Sequence, residues 1–160
     1  NYLEYGYLWT RDCTNFVSQI LENGGYEQEI TDSVYSGWWH INHGYENEYS
    51  RSWTIADTFA RYMGVGFTTH DNFDFSVNIQ RGDFVALDTR NEGDWGHMGF
   101  VTNVDFMYED GYHYQENETG KYLDYKIAQH SDNYNAWASE EVNHWDEYEA
   151  KGARYGRVRR

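Results

Sequence analysis

Cys13 is the one cysteine in 160 residues, and it stands at the head of a helical pattern. From Cys13, the apolar residues Phe16, Val17, Ile20 and Leu21 fall at i+3, i+4, i+7 and i+8, which is one face of a helix. Asn23-Gly24-Gly25 stops that helix, because glycine takes the left-handed backbone without strain. Asp12 or Thr10 can cap its start. A thiol is a weak nucleophile at neutral pH until something lowers its pKa. The exposed N–H groups of a helix's first turn do this, and so does a neighbouring imidazole. The competing role for Cys13 is that of a small buried hydrophobe under the helix.

A cysteine nucleophile needs a base, and the base needs an orienting group. The chain has seven histidines, and context separates two of them. His97 precedes the apolar run Met98 to Val104, after the glycine-bearing loop Gly93-Asp94-Trp95-Gly96. A side chain at such a strand mouth is rigidly held yet open to a cleft. His130 closes a further strand, Tyr122 to Gln129, so it can neighbour His97 across a sheet. Papain-like enzymes use this geometry: cysteine on a helix N-terminus, base on a facing strand, polar residue on the next strand.

The elements that must position these groups follow from periodicity. Tyr26 to Ser50 reads as a long, partly irregular connection containing Trp38-Trp39. Trp53, Ala56, Phe59, Ala60 and Met63 predict one helix from Ser52 to Met63, closed at Gly64. Phe67 to Ile79 reads as loop or short strand. Strands are expected at Phe84 to Leu87, opened by Gly82-Asp83, at Met98 to Val104, and at Tyr122 to Gln129 with Tyr125, Ile127 and Gln129 on one face. Glu109 to Gly120 is a hairpin loop or added ribbon, Ala136 to Ala150 a helix, and Arg154 to Val158 a closing strand. Helices first and strands afterwards predict an α+β domain, with an antiparallel sheet packed on the Cys13 helix.

Composition narrows the partners. The formal charge is −15, which repels phosphate backbones and argues against nucleic acid. A basic substrate, a cationic protein or a salty environment fits the charge better. No apolar run is long enough to span a membrane. One cysteine permits no internal disulfide and no cysteine-based zinc cage. Aromatic residues make up 19% of the chain, which suits either a groove that stacks sugars or peptides, with Trp38, Trp39 and Trp95 lining it, or an aromatic core. Asp88, Glu92 and Asp94 could hold calcium, but Arg90 sits where a further oxygen ligand is wanted, and an exposed acidic turn is the simpler reading. His40 and His43 have i, i+3 spacing without the glutamate of a zinc hydrolase motif, and are read as loop. No metal or other cofactor is called for.

Asp12-Cys13-Thr14-Asn15-Phe16-Val17-Ser18-Gln19 followed by Gly24-Gly25 closely resembles the signature of the putative amidase domain family. The resemblance continues in order through Trp38-Trp39, Ser50-Arg51-Ser52-Trp53-Thr54, Gly82-Asp83-Phe84-Val85, Gly96-His97-Met98-Gly99-Phe100-Val101-Thr102 and Gln129-His130-Ser131-Asp132-Asn133-Tyr134. That family looks related to the NlpC-type and CHAP cell-wall amidases, which share a papain-like fold. The resemblance implies Cys13 as nucleophile and His97 as base. For the third residue it favours His130, with Asp132 or Gln129 in reserve. The oxyanion donor beside the Cys13 N–H is left open between Tyr5, Tyr7 and Asn15. The length predicts a single domain over residues 1–160, and the mid-pattern opening suggests one cut from a longer protein. The resemblance further implies a secreted or wall-associated enzyme that hydrolyses peptidoglycan or a related peptide through a thioester.

Two rival readings remain. The same machinery could serve a toxin domain that deamidates, transglutaminates or cleaves a protein, with an immunity or inhibitor protein on its acidic surface. A non-enzymatic glycan-binding module would use the aromatic residues and leave Cys13 dispensable.

Overall fold

The computed structural model describes residues 12–44, 46–105, 107–108, 111–112 and 114–159. The first element is α1 (Cys13–Asn23), whose apolar stripe buries Val17 completely. Its end is a Schellman turn: Gly25 adopts φ +93° while its N–H reaches Glu22 O, and Tyr26 N–H reaches Leu21 O. Its start differs from expectation. Asp12 occupies the N-cap position but makes no side-chain capping bond, and Thr10 lies outside the described residues.

The connection from Tyr26 to Ser50 is irregular apart from a ribbon of β1 (His40–Asn42) and β2 (Asn47–Tyr49). The expected helix from Ser52 to Met63 is two helices, α2 (Arg51–Thr54) and α3 (Ala56–Met63), separated by an extended Ile55. The Trp53 carbonyl accepts a bond from the Ser18 hydroxyl at 2.9 Å, which ties that turn to α1. The β-branched Thr54-Ile55 pair favours the break. Phe67 to Ile79, expected as loop or strand, holds β3 (Val65–Thr69) and a helix, α4 (Asn72–Asn78). Asp71 caps α4 by accepting from Asp74 N–H at 2.8 Å, and the helix buries Phe75.

β4 (Phe84–Asp88) and β5 (His97–Val104) form where alternation and apolar content predict them. Two short ribbons follow, β6 (Met107–Tyr108) with β7 (Gly111–Tyr112), and β8 (Tyr114–Asn117) with β9 (Gly120–Leu123). The expected strand Tyr122 to Gln129 is divided at Asp124, whose carboxylate accepts from the Tyr125 and Ser139 amides and the Ser139 hydroxyl. Its second part is β10 (Tyr125–Gln129). The helix expected over Ala136 to Ala150 does not form. Tyr134–Trp137 instead pairs with β10 as β11, and only Asp146–Lys151 coils, as a 3₁₀ helix ended by Gly152 at φ +78°. The closing strand is β12 (Arg154–Val158).

Six strands make one antiparallel sheet in the order β11-β10-β5-β4-β12-β3, so the chain is α+β. Alternation sends Val85, Leu87, Val101, Ile127 and Tyr155 into one buried cluster with Phe75 and Trp145. Ala86, Met98 and Val158 enter a second cluster with Cys13, Val17, Trp53 and Phe59. The sheet is thus covered on both faces, with α1 lying against β5.

Candidate active site

Cys13 is the first residue of α1 and only 6% exposed. Its sulfur is 3.7 Å from the Thr14 hydroxyl. Burial pushes the thiol pKa up, but hydrogen bonding and charge from His97, the Met98 N–H and Thr14 together outweigh it, and the thiol is lowered overall. The opposite happens to His97. Burial pushes the imidazole down, while the Cys13 sulfur, Gln129 and the Asp132 charge push it up, and the net direction is upward. The two shifts are mutual: each partner favours the charged form of the other.

The two partners come from opposite faces of the sheet. His97 shares strand parity with Gly99 and Val101, on the side of Trp145, whereas Met98 packs in the cluster that holds Cys13. Because His97 opens β5, its imidazole lies at the sheet's end, where α1 also begins. The ring tilts against Trp145 with centroids 5.8 Å apart.

Gln129 is the group on the imidazole. His97 Nε2 lies 2.6 Å from Gln129 Oε1, which leaves Nδ1 as the ring nitrogen for sulfur. Sequence reasoning ranked His130 first, and the structure places it elsewhere. Tyr125, Ile127 and Gln129 lie on one face of β10, so His130 is turned away by strand alternation. Its Nδ1 lies 3.2 Å from Asp12 Oδ2, and its ring stacks on Phe16 with centroids 4.0 Å apart. Burial lowers the His130 pKa and raises that of Asp12. The face shared by Tyr125, Ile127 and Gln129, expected from the alternation of this strand, is the one that brings the Gln129 amide to His97.

The remaining candidates separate cleanly. Asp132 is exposed; it acts on His97 through charge, and its carbonyl accepts from Gln129 Nε2 at 3.4 Å. Asn15 is buried, donates one amide N–H to Asp12 at 2.8 Å and accepts from Trp53 Nε1 at 2.9 Å. Tyr5 and Tyr7 lie outside the described residues. The groove expected of Trp38, Trp39 and Trp95 is not there: they are 0%, 3% and 5% exposed and are core residues. Trp38 stacks on Trp53 and donates to Ser18, Trp39 donates to the Thr31–Ser36 turn, and Trp95 lies under Arg154.

Asp88 is buried in its own turn, where it accepts from the Glu92 and Gly93 amides and pairs with Arg154 at 3.4 Å. His40 stacks on Trp53, and His43 lies 3.7 Å from Glu48.

Three comparisons bear on this geometry. A region of "Uncharacterized protein YhbB" from Bacillus subtilis (strain 168) is 28% identical over 97 residues, covering 59% of this chain and 30% of that protein. No solved structure matches the chain. The family model described as "Putative amidase domain" matches residues 1–155. With that match running over nearly the whole length, and over the helix start and strand mouth that bring Cys13 to His97, the chain belongs to the putative amidase domain family, whose description points to hydrolysis of amides.

Proposed function

We propose that this protein is a cysteine-dependent amide hydrolase with a papain-like arrangement of Cys13, His97 and Gln129. The observation that carries the reading is the continuous path from thiol to imidazole to amide oxygen, with the thiol lowered and the imidazole raised. The Cys13 thiolate attacks the carbonyl carbon of the scissile amide. As the C–N bond breaks, His97 gives its Nδ1 proton to the leaving amine, and a thioester remains on Cys13. His97 then takes a proton from water, which hydrolyses the thioester. The Cys13 backbone N–H, in the first turn of α1, supplies one oxyanion donor.

The proposed substrate is peptidoglycan or a related peptide, which places the enzyme at the cell wall. Incubating purified peptidoglycan and its soluble fragments with wild type and with Cys13→Ala tests both claims, mass spectrometry identifying the bond cut. New amine and carboxyl ends are expected from wild type alone. Equal product from Cys13→Ala would sink the nucleophile assignment. No product from either would transfer the chemistry to protein substrates.

A further inference from the structure

We propose that Trp145 is a positioning residue for His97, acting through the side-chain amide of Gln129; the proposal rests on the Cys13–His97 reading above. Trp145 Nε1 lies 2.9 Å from Gln129 Oε1, the same oxygen that meets His97 Nε2 at 2.6 Å. An indole N–H only donates, so the amide atom it meets must be oxygen. That settles the orientation of an amide whose oxygen and nitrogen are otherwise interchangeable in shape. An oxygen facing Nε2 requires the proton on Nε2, and the neutral ring then holds its lone pair on Nδ1, toward Cys13. A flipped amide would offer N–H to Nε2, move the ring proton to Nδ1 and remove the base.

Trp145 is itself held on several sides. It is 1% exposed, its backbone N–H donates to Asn143 Oδ1 at 3.0 Å, and its carbonyl accepts from the Tyr155 hydroxyl at 2.5 Å. Its ring packs on Phe75 and over Gly99, where an added Cβ would come within 3.0 Å of it. Tyr134, paired with Gln129 across β10 and β11, is the other side chain that feels the indole N–H. The donor is therefore held by contacts beyond the imidazole.

The test reads Cys13 without any substrate, as the iodoacetamide alkylation rate of the folded protein against pH. Trp145→Phe keeps an aromatic ring and removes the donor. Loss of one hydrogen bond that holds the amide predicts alkylation about tenfold slower near pH 6, with the profile's midpoint moved upward. Adding Gln129→Glu to Trp145→Phe restores the fast profile, because a carboxylate accepts at either oxygen and has no N–H to present. A residue that only fills the core gives no such rescue. A Trp145→Phe profile that overlays wild type, or a double variant as slow as the single one, overturns the proposal. Wild-type Cys13 reacting no faster than free cysteine overturns the nucleophile reading itself, and that result is distinct because it needs no variant. Should Trp145→Phe fail to fold, ¹⁵N spectra of Cys13→Ala at mildly alkaline pH decide. A neutral His97 carrying its proton on Nε2 supports the proposal, and one carrying it on Nδ1 overturns it.

Discussion

Two adjacent residues at the end of β10, Gln129 and His130, do different work because a strand alternates. Gln129→Ala is expected to lower kcat/KM by about 10- to 100-fold, since a hydrogen bond to a charged group contributes about 1.5–3 kcal/mol. His130→Ala removes a stacked ring and an Asp12 contact on the other face, and a loss of less than about threefold is expected; comparable losses for the two would mean that the roles are misassigned. The shifts of Cys13 and His97 also set a pH profile. kcat/KM should rise as pH passes the lowered thiol value and fall as it passes the raised imidazole value, giving a plateau broader than unperturbed groups would allow. A rate that follows a single ionisation near the ordinary thiol value would contradict the pair. At this scale the sequence was clear for Cys13 and His97. It was blind to Trp145, which lies 16 residues beyond Gln129 with no local pattern tying them.

Among elements, α1, β4 and β5 were legible because each carries its own period and its own stop. The segment from Ala136 to Ala150 was not. Ala136, Ala138 and Trp145 are buried by what they meet across the sheet and not by a repeat along the chain. The break at Ile55 likewise has a distant partner, since Ser18 bonds the Trp53 carbonyl 35 residues away. Close packing between elements supplies a prediction. In β12, a Cβ on Gly156 would lie 2.7 Å from the Trp95 ring, and Trp95 is pinned by Arg154 on one side and by its own amide's bond to Asp57. Overpacking of this kind costs about 1–3 kcal/mol. In a domain of this size that lowers Tm by about 2–12 °C, readable by calorimetry, with Cys13 alkylation of the folded protein unchanged. An unaltered Tm would mean that the ring can move aside.

For the molecule as a whole, charge and burial act in the same direction. A formal charge of −15 repels itself in the compact state, and Asp12, Asp124 and Asp146 have pKa values raised chiefly by burial. A carboxyl whose folded pKa is raised holds a proton that the unfolded chain has lost. Stability therefore falls as pH rises through that window, and the cost is fully present above the raised value. Tm should fall as pH is raised upward from the ordinary aspartate value of 3.8, and added salt should raise Tm more at the upper end of that range. A Tm that climbs with pH over this range would show that the paired carboxylates outweigh the buried ones.

The origin of Cys13 and His97 in opposite layers of the sandwich has a consequence for when the protein becomes reactive. The groups on β5 that lower the Cys13 thiol, His97 and the Met98 N–H, come from the sheet, while α1 brings the sulfur. In the proposed chemistry, the paired thiol and imidazole meet only when the helical layer closes over the sheet's end. A partly opened chain lacks the His97 contact that lowers the thiol. The speed with which its single thiol is alkylated then measures how much of the population has both layers docked.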